Sequence, residues 1–425
     1  MSEKQKYNLS ILLFIFFFAI AVINFLFGGD PNGSGGSIND FTNTWPYVES
    51  LSKTFPSLHS LYGDGPRDTD NTPLGYILLS WFFLILKDQY LVRITYFVFS
   101  FISLIVFYVA IKEKYPNIKK ANLIILVTIF MAMPAFISGS TWANNSILAN
   151  IFFILFIIYF NRWLKEKKTN RFNKTIFYQI LFLALAVYTR QYYALFFIFL
   201  IYNYFYRLTV KEFFLTMFVI FLFTLPGFYI IVQDIRVLKT VSTFKIYNTF
   251  LISPSIMLFY LIPIYFLSYM QNKKNIISLL PDSNSNKTII LWLIFITLFL
   301  SFIFDYNFKI GGGIFFKASQ ILLKNNLIGY FAGGLGLYIL FLLSRVSNSN
   351  KILIILLVAG FPSYYIFQKY FEPMFFIIIL LMLDQKKIME INKSFNSLLF
   401  LLLYYSVYLC LTISNDIFKI SKLLN

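Results

Sequence analysis

The chain has 425 residues, of which 59% are hydrophobic and 21% aromatic. A water-soluble domain cannot hide that much apolar surface, whereas windows of roughly 20 apolar residues, long enough for a membrane-crossing helix, recur throughout the sequence. One cysteine and one histidine argue against a disulfide framework, a thiolate metal site and a histidine-driven hydrolase. The sequence therefore predicts an all-α, polytopic integral membrane protein.

The net charge of +18 comes mainly from basic residues in short connectors between the apolar segments. Connectors of this kind set the orientation of a membrane protein, because Lys and Arg stay on the cytoplasmic side. They also attract anionic headgroups, so we expect membrane lipids as partners and no nucleic acid. The residues concerned are Lys112, Lys114, Lys119, Lys120, Arg162, Lys165, Lys167, Lys168, Arg171, Lys174, Lys273, Lys274, Lys386 and Lys387.

The first apolar segment, residues 8–27, follows the polar start SEKQKYN and lacks a small-residue cleavage site. We interpret it as an uncleaved first span with a cytoplasmic N-terminus. The length rule then predicts about 13 crossings in one transmembrane domain over residues 1–425, with the basic connectors inside. The further spans are expected near residues 89–111, 120–139, 144–162, 174–189, 191–207, 211–233, 251–270, 288–304, 325–344, 352–367, 369–383 and 395–413.

Residues 28–88 form the one long polar interval, and this alternation makes them the first outer loop. An amphipathic run over residues 45–61 and the short apolar segment TPLGYILLSWFFLILKD predict surface or re-entrant helices. The interval holds Asp30, Asp40, Glu49, His59, Asp64, Asp68 and Asp70, although carboxylates are scarce elsewhere. We interpret it as the catalytic loop. Shorter polar segments on the outer side are expected at residues 138–145, 188–193, 232–248, 305–326 and 368–373.

Asp40, in SINDFTNTW, follows soon after the first span, where a carboxylate would overlie the membrane face. A base at that place could take a proton from an acceptor hydroxyl while an anionic leaving group departs. The alternative is a solvated loop residue, or a cap on a helix that begins near Phe41.

A second cluster stands before Pro73. Because the residue before proline is pushed out of helical geometry and proline suits a first helical turn, a helix is expected to begin there. The end of such a helix could hold a phosphate group, or it could simply be a capped surface helix. The cluster consists of Arg67, Asp68, Asp70, Asn71 and Thr72.

Arg190 and Gln191 lie between two apolar runs in ALAVYTRQYYALFF, with almost no loop. A charge at such a tight hairpin is costly unless it is paired or useful. The planar fork of arginine suits phosphate oxygens. The alternative is a side chain that snorkels to the lipid headgroups.

Near the C-terminus, FQKYFEPMFF brings Lys369, Tyr370 and Glu372 into an apolar context. The two charges could pair with each other, or Lys369 could meet a phosphate together with Arg190. The stretch GGGIFFK, residues 311–317, adds a permissive backbone and one cation.

These pieces resemble membrane glycosyltransferases of the GT-C superfamily. Asp40 followed by TPLGYILLSWFFLILKDQYLVRITYFVFS is similar to their segment in which a Pro-Pro-Leu-Tyr-like turn opens a surface helix before the second span. LFLALAVYTRQYYALFFIFL resembles their later helical hairpin with a basic tip, and QKYFEPMFFII resembles an Arg-Tyr-Phe-x-x-Pro-like element. TRQYY and TPLGY look most like the dolichyl-phosphate-glucose-dependent α-1,2-glucosyltransferases. The chain departs from the family at three places: Phe41 replaces the second acid, Thr72 the first proline, and Lys369 the arginine.

The resemblance implies a hexosyltransferase that uses a polyprenyl-phosphate-linked sugar donor, a glycan or lipid-linked acceptor, and no cofactor or obligatory metal. It implies Asp40 as the catalytic base and Arg190 on the donor phosphate, with help from Lys369 or Arg67. The other substrate-binding candidates are Asp68, Asp70, Gln191 and Tyr370. We expect a multi-pass protein of the bacterial plasma (inner) membrane with its active site facing outward.

Two other activities share this topology. A transporter or flippase of lipid-linked saccharides would suit broken helices near residues 311–313 and 362–373. A polymerase or ligase of surface polysaccharide is a third possibility. Charges buried within several spans would favour transport, whereas here the charges collect at outer helix ends, which favours an interfacial enzyme.

Overall fold

The computed structural model describes residues 1–31, 36–54, 71–166, 171–233, 245–271, 283–308, 311–360, 365–384 and 392–424. Within these ranges every regular element is a helix, so the predicted all-α class is confirmed. Among the described helices, seven are long and apolar enough to cross a membrane, or up to eight when one bent pair counts as a single span. By that length and composition the chain is a multi-pass membrane protein, whereas the count of about 13 crossings stays a prediction.

The chain packs as two compact units. Unit 1 comprises Met1–Ser242 and Tyr405–Asn425, and unit 2 comprises Thr243–Tyr404. The second boundary between the units falls inside the last helix, α19 (Phe395–Leu424). The single transmembrane domain expected over residues 1–425 stays a prediction.

Eleven of the described helices belong to unit 1, together with one 3-10 turn. They are α1 (Glu3–Leu26), α2 (Ser37–Thr54), α3 (Leu74–Leu86), α4 (Gln89–Ser100), α5 (Ile102–Lys114), α6 (Lys120–Met131), α7 (Pro134–Thr141), α8 (Asn145–Lys165), α9 (Lys174–Thr189), the turn Gln191–Ala194, α10 (Leu195–Arg207) and α11 (Val210–Gln233). Helix α9 covers residues 174–189, the same range that the sequence predicted for this span.

Two ion pairs show that four helix ends lie at the same end of unit 1. The Lys119 ammonium lies 2.9 Å from Glu3, which brings the start of α1 to the start of α6. Arg162 donates to both Glu113 carboxylate oxygens, at 2.7 and 3.0 Å, which brings the end of α5 to the end of α8. The basic connectors before α6 and after α8 therefore share one end of the unit, as the predicted alternation requires. Which side of the membrane this end faces stays a prediction.

Helices α2 and α3 lie at the opposite end of unit 1 and pack against each other. On α2, Phe41, Trp45 and Val48 are buried and recur with the spacing of one helix face. The Trp45 ring meets Phe83 of α3 edge-on, with the ring centroids 5.2 Å apart. The segment predicted to be too short for a full span forms α3, which has 13 residues. The packing of the amphipathic helix α2 against the short apolar helix α3 thus builds much of the described part of the first outer loop.

The segment at residues 120–139 was expected to be a single span, but it is a bent pair. Helices α6 and α7 meet at an angle of 63°. The break follows from Pro134, which stands at the first position of α7 and forces Met133 into extended backbone. After the bend, Ser138 of α7 and Asn144 at the start of α8 form hydrogen bonds with Ser37 and Asp40 of α2.

Unit 2 contains the remaining helices and the first part of α19. They are α12 (Ile246–Gln271), α13 (Ser283–Phe302), α14 (Gly313–Leu323), α15 (Leu327–Ser344), α16 (Asn348–Ala359), α17 (Gln368–Phe371) and α18 (Met374–Leu381). The α15 backbone lies close against α12. A Cβ at Gly333 would lie only 2.8 Å from the Leu251 carbonyl oxygen, so glycine permits this approach. The span expected at residues 369–383 is interrupted, and the eight residues of α18 rise only about 12 Å.

Candidate functional site

One asparagine side chain connects the predicted base to the predicted phosphate ligand. Asn144 Nδ2 donates to Asp40 Oδ2 at 3.0 Å. Asn144 Oδ1 accepts from Arg190 Nη2 at 2.7 Å. The structure thus brings Asp40 and Arg190, which lie 150 positions apart in the sequence, to opposite atoms of one buried amide.

The local structure of α8 fixes the orientation of this amide. Asn144 is the N-cap of the helix, and its Oδ1 also accepts from the Ser146 backbone N–H at 3.0 Å. Because both the cap and Arg190 present donors, the oxygen has to face them and the amide nitrogen has to face Asp40. The Tyr96 hydroxyl donates to the Asn144 carbonyl oxygen at 2.7 Å and holds the backbone of the cap.

Arg190 is 7% exposed, although it stands at the end of α9. Its Nη1 donates to Asn71 Oδ1 at 2.8 Å, and Asn71 Nδ2 lies 3.3 Å from the Tyr76 hydroxyl. The guanidinium is therefore buried and held by groups from the first outer loop and from α8. Gln191, the next residue, begins the 3-10 turn that leads into α10.

Asp40 lies in the first turn of α2 and is partly exposed. The helix begins at Ser37, before Asp40, so this carboxylate is not the cap of a helix starting near Phe41. Its backbone N–H donates to the Gly36 carbonyl oxygen at 3.3 Å. The backbone at Asp40 is thus held in place, while its side chain stays partly exposed to solvent.

A second carboxylate, Asp30, was not proposed as a site residue, yet it fixes the start of α2. Asp30 is 7% exposed, accepts from the Ile38 N–H at 3.0 Å and accepts from the Ser138 hydroxyl of α7. Ser138 Oγ lies 2.8 Å from Ser37 Oγ. Asp30 therefore ties the turn that carries Asp40 to the bent helix pair. Its position in GGDP, directly after the first span, is a signal that could have identified it.

The cluster before Pro73 is only partly described. Helix α3 begins at Leu74, directly after Pro73, where the sequence predicted a helix start. The Thr72 hydroxyl donates to the Val187 carbonyl oxygen of α9 at 2.8 Å. That bond attaches the end of the first outer loop to the helix that carries Arg190. Arg67, Asp68 and Asp70 lie outside the described residues, so their assignment to the site stays a prediction.

The C-terminal candidates lie in unit 2. The Lys369 ammonium is 5.3 Å from the centre of the Phe367 ring, and Tyr370 is the next residue of α17. Glu372 is 2% exposed and accepts from the Tyr260 hydroxyl at 3.1 Å. The roles of Lys369 and Tyr370 in substrate binding stay predictions.

Three consecutive glycines lead into α14 in the same unit, and the helix begins at the third, Gly313. Gly311, Gly312 and Gly313 have φ angles of +78°, +88° and +74°, a region that residues with a Cβ rarely adopt. The Ile314 N–H donates to Gln368 Oε1, with 3.4 Å between nitrogen and oxygen, which connects this turn to α17. Glycine is needed here for backbone geometry, and this accounts for the GGG stretch without a ligand.

No protein-family model matches the chain, and no curated protein matches it. Among solved structures, ArnT from Cupriavidus metallidurans in the apo state is similar over 95% of this chain and 75% of that chain, with 12% identity and a TM-score of 0.38. At that score the likeness decides neither the fold nor the activity.

The geometry in unit 1 suits chemistry that needs a base and a cation side by side. A partly exposed carboxylate and a buried guanidinium share one amide at the end of the unit that carries α2 and α3. The described residues contain no group of three or more His, Cys, Asp and Glu side chains placed to hold a metal ion. Among the predicted site residues, the structure brings Asp40 and Arg190 together through Asn144, and their roles in catalysis stay predictions.

Proposed function

We propose that this chain is a GT-C-type membrane glycosyltransferase. It moves a sugar from a polyprenyl-phosphate donor to a hydroxyl group of a lipid-linked or surface glycan on the non-cytoplasmic side. The observation that carries the proposal is the joint attachment of Asp40 and Arg190 to Asn144. The charged groups of such a reaction are a proton acceptor and an anion ligand, and this pair supplies both.

Asp40 acts as the general base. A partly exposed carboxylate in the first turn of α2 is open to an incoming hydroxyl, while its backbone and one of its oxygens are held in place. Because proton removal raises the nucleophilicity of the acceptor oxygen, a positioned base contributes roughly a factor of 10² to 10⁴ to the rate.

Arg190 binds the phosphate of the donor. Its guanidinium lies beside the N-terminus of α8, a helix of 21 residues whose backbone dipole adds positive potential at that end. A buried cation next to a positive helix end is stabilised by a neighbouring anion. Asp40 supplies part of that compensation through Asn144, and a bound phosphate would supply more.

The reaction is a displacement at the anomeric carbon. The acceptor oxygen forms a bond to that carbon and passes its proton to Asp40, while the bond between the carbon and the phosphate oxygen breaks. Polyprenyl phosphate leaves with the electron pair, and the guanidinium stabilises the charge that develops on it. Arg67, Asp68, Asp70, Gln191, Lys369 and Tyr370 remain candidates for further contacts with the two substrates.

A transfer assay tests the proposal directly. The purified protein in lipid nanodiscs is incubated with polyprenyl-phosphate hexoses labelled in the sugar and with lipid-linked saccharides from the source membrane. We expect label in the acceptor and one polyprenyl phosphate released for each sugar transferred. Movement of an intact lipid-linked saccharide across proteoliposomes, without sugar transfer, would contradict the proposal and favour a transporter.

A further inference from the structure

Unit 2 contains a groove between α13 and α15. The groove has a volume of about 580 Å³, within the range of roughly 300 to 1,000 Å³ that is usual for sites of small ligands. Its walls are almost entirely apolar. They are formed by Ile290, Leu293, Ile294, Thr297, Leu298 and Ser301 of α13 and by Leu327, Tyr330, Phe331, Gly334, Leu335 and Tyr338 of α15.

The packing of α15 explains why this groove stays open. One face of the helix is glycine-rich and presses against α12, as the close approach of Gly333 to Leu251 shows. On the groove side α13 comes close at Gly334, where a Cβ would lie 2.9 Å from Thr297 Oγ1. The walls on both sides of this contact stay exposed, with Ile294 at 51% and Phe331 at 73%. Exposed apolar walls on a membrane-spanning helix face hydrocarbon.

The groove extends along α15 over a length comparable with half of a bilayer's hydrocarbon core. It reaches Leu327, the first residue of α15, and Ser301, near the end of α13, so it opens at the helix ends. From Leu327 to Tyr338 the helix rises roughly 16 Å, about half of a hydrocarbon core of about 30 Å. Beyond Tyr338, α15 continues to Ser344 without lining the groove.

The open end of the groove carries positive charge. Lys324 is exposed, ends α14 in a left-handed conformation (φ 55°) and precedes Leu327 by three positions. The first N–H groups of α15 already have acceptors, since Leu327 donates to Asn325 Oδ1 and Ile328 to Ser319 Oγ, both at 3.0 Å. Beyond the end of α13, Lys245 is paired with Asp305 at 2.5 Å, whereas Lys324 is an exposed cation beside the start of α15, which favours an anionic headgroup at this end.

We propose that this groove binds one acyl chain of an anionic phospholipid from the surrounding bilayer, with the phosphate near Lys324. An acyl chain ends near the bilayer midplane, which matches the length of this groove, whereas an isoprenoid chain would continue past Tyr338. A bound lipid would fill the space between α13 and α15 and make the contacts that these helices lack. The proposal does not depend on the transferase activity.

Native mass spectrometry of the full chain in detergent, titrated with phosphatidylglycerol, tests the groove. Ile294→Trp places a large ring in the groove, and we expect it to weaken phosphatidylglycerol binding at least tenfold. Ile296→Trp is the matched control, because Ile296 lies two positions away on the same helix, is 39% exposed and does not line the groove. Its binding should stay within twofold of the parent. Equal binding by the parent and Ile294→Trp would overturn the proposal.

Two charge variants test the headgroup assignment in the same assay. Lys324→Gln should remove the preference for phosphatidylglycerol over phosphatidylcholine with the same chains, while Arg345→Gln, at the opposite end of α15, should keep it. Loss of the preference in Arg345→Gln alone would overturn the assignment. A third titration uses polyprenyl phosphate. Binding of this lipid, but not of phosphatidylglycerol, in an Ile294-sensitive manner would also overturn the proposal and assign the groove to an isoprenoid.

Discussion

Asp40 and Arg190 contact the same amide group, the carboxylate at its nitrogen and the guanidinium at its oxygen. Their separation is therefore set by a third residue, Asn144, which is itself fixed as the N-cap of α8. A group that bridges two opposite charges in a buried place contributes to stability and also positions both charges. The following predictions separate these effects.

Asn144 and its neighbour Asn145 provide the first prediction. Asn144→Leu removes hydrogen bonds to two charged groups, each worth roughly 1.5 to 3 kcal/mol, so the free energy of unfolding should fall by about 3 kcal/mol or more. Asn145 is equally buried, but both of its amide atoms have no hydrogen-bond partner in the described structure. Asn145→Leu should therefore be neutral or stabilising.

Thermal unfolding in detergent measures both variants, and Asn145→Leu serves as the control for the volume and polarity of the substitution. Equal losses of stability in the two variants would show that the bridge contributes nothing beyond the packing of an asparagine.

The second prediction concerns Asp40 as the base. Asp40→Asn keeps the size of the side chain and removes its basicity, so turnover should fall about a hundredfold or more, while donor binding is retained. Glu49→Gln on the same helix is the control, because glutamine can still accept the hydrogen bond that Trp45 Nε1 gives at 2.7 Å. The initial rate of sugar transfer is measured for both variants. Near-normal turnover of a folded Asp40→Asn protein would move the role to Asp68 or Asp70.

The third prediction concerns the guanidinium of Arg190. Arg190→Lys keeps the charge but loses the planar fork that reaches Asn71 and Asn144 together, so donor affinity or turnover should fall at least about tenfold. Arg190→Ala should lose more. Arg207→Lys, at the exposed end of α10, is the control for the same replacement elsewhere in unit 1.

The measurement is the rate of sugar transfer over a range of polyprenyl-phosphate sugar concentrations. If Arg190→Lys and Arg190→Ala both match the parent, Arg190 is not part of the site and the donor phosphate has no ligand at the end of α9.

The fourth prediction is topological. The end of unit 1 with Asp40 should face away from the cytoplasm, and the end with the Glu3–Lys119 pair should face the cytoplasm. In a Cys410→Ser background, Asn39→Cys should react with an impermeant thiol reagent in intact cells, and Asn117→Cys only after permeabilisation. Both asparagines are exposed, so accessibility is matched. The reverse labelling pattern would overturn the orientation and the proposed enzyme with it.

The sequence alone determined the class of the protein and several local features. Apolar length decides whether a helix is suited to a membrane, and this gave the all-α class and the bounds of α9. A charge in an apolar context is costly, and this selected Arg190 as a candidate whose role stays a prediction. Proline has fixed backbone requirements, which placed the start of α3 beside Pro73.

Only the tertiary structure decided which of these residues meet. Asn144 lies in the polar piece SGSTWANN, where nothing in the pattern distinguishes it from its neighbours. It reaches Asp40 across 104 positions because the packing of unit 1 brings the start of α8 to the first turn of α2. The role of Asp30 also depends on tertiary structure, since its hydrogen-bond partners Ile38 and Ser138 belong to two separate helices. Local rules such as helix length, capping and proline geometry act over a few residues, whereas a hydrogen bond between distant segments depends on how whole helices pack.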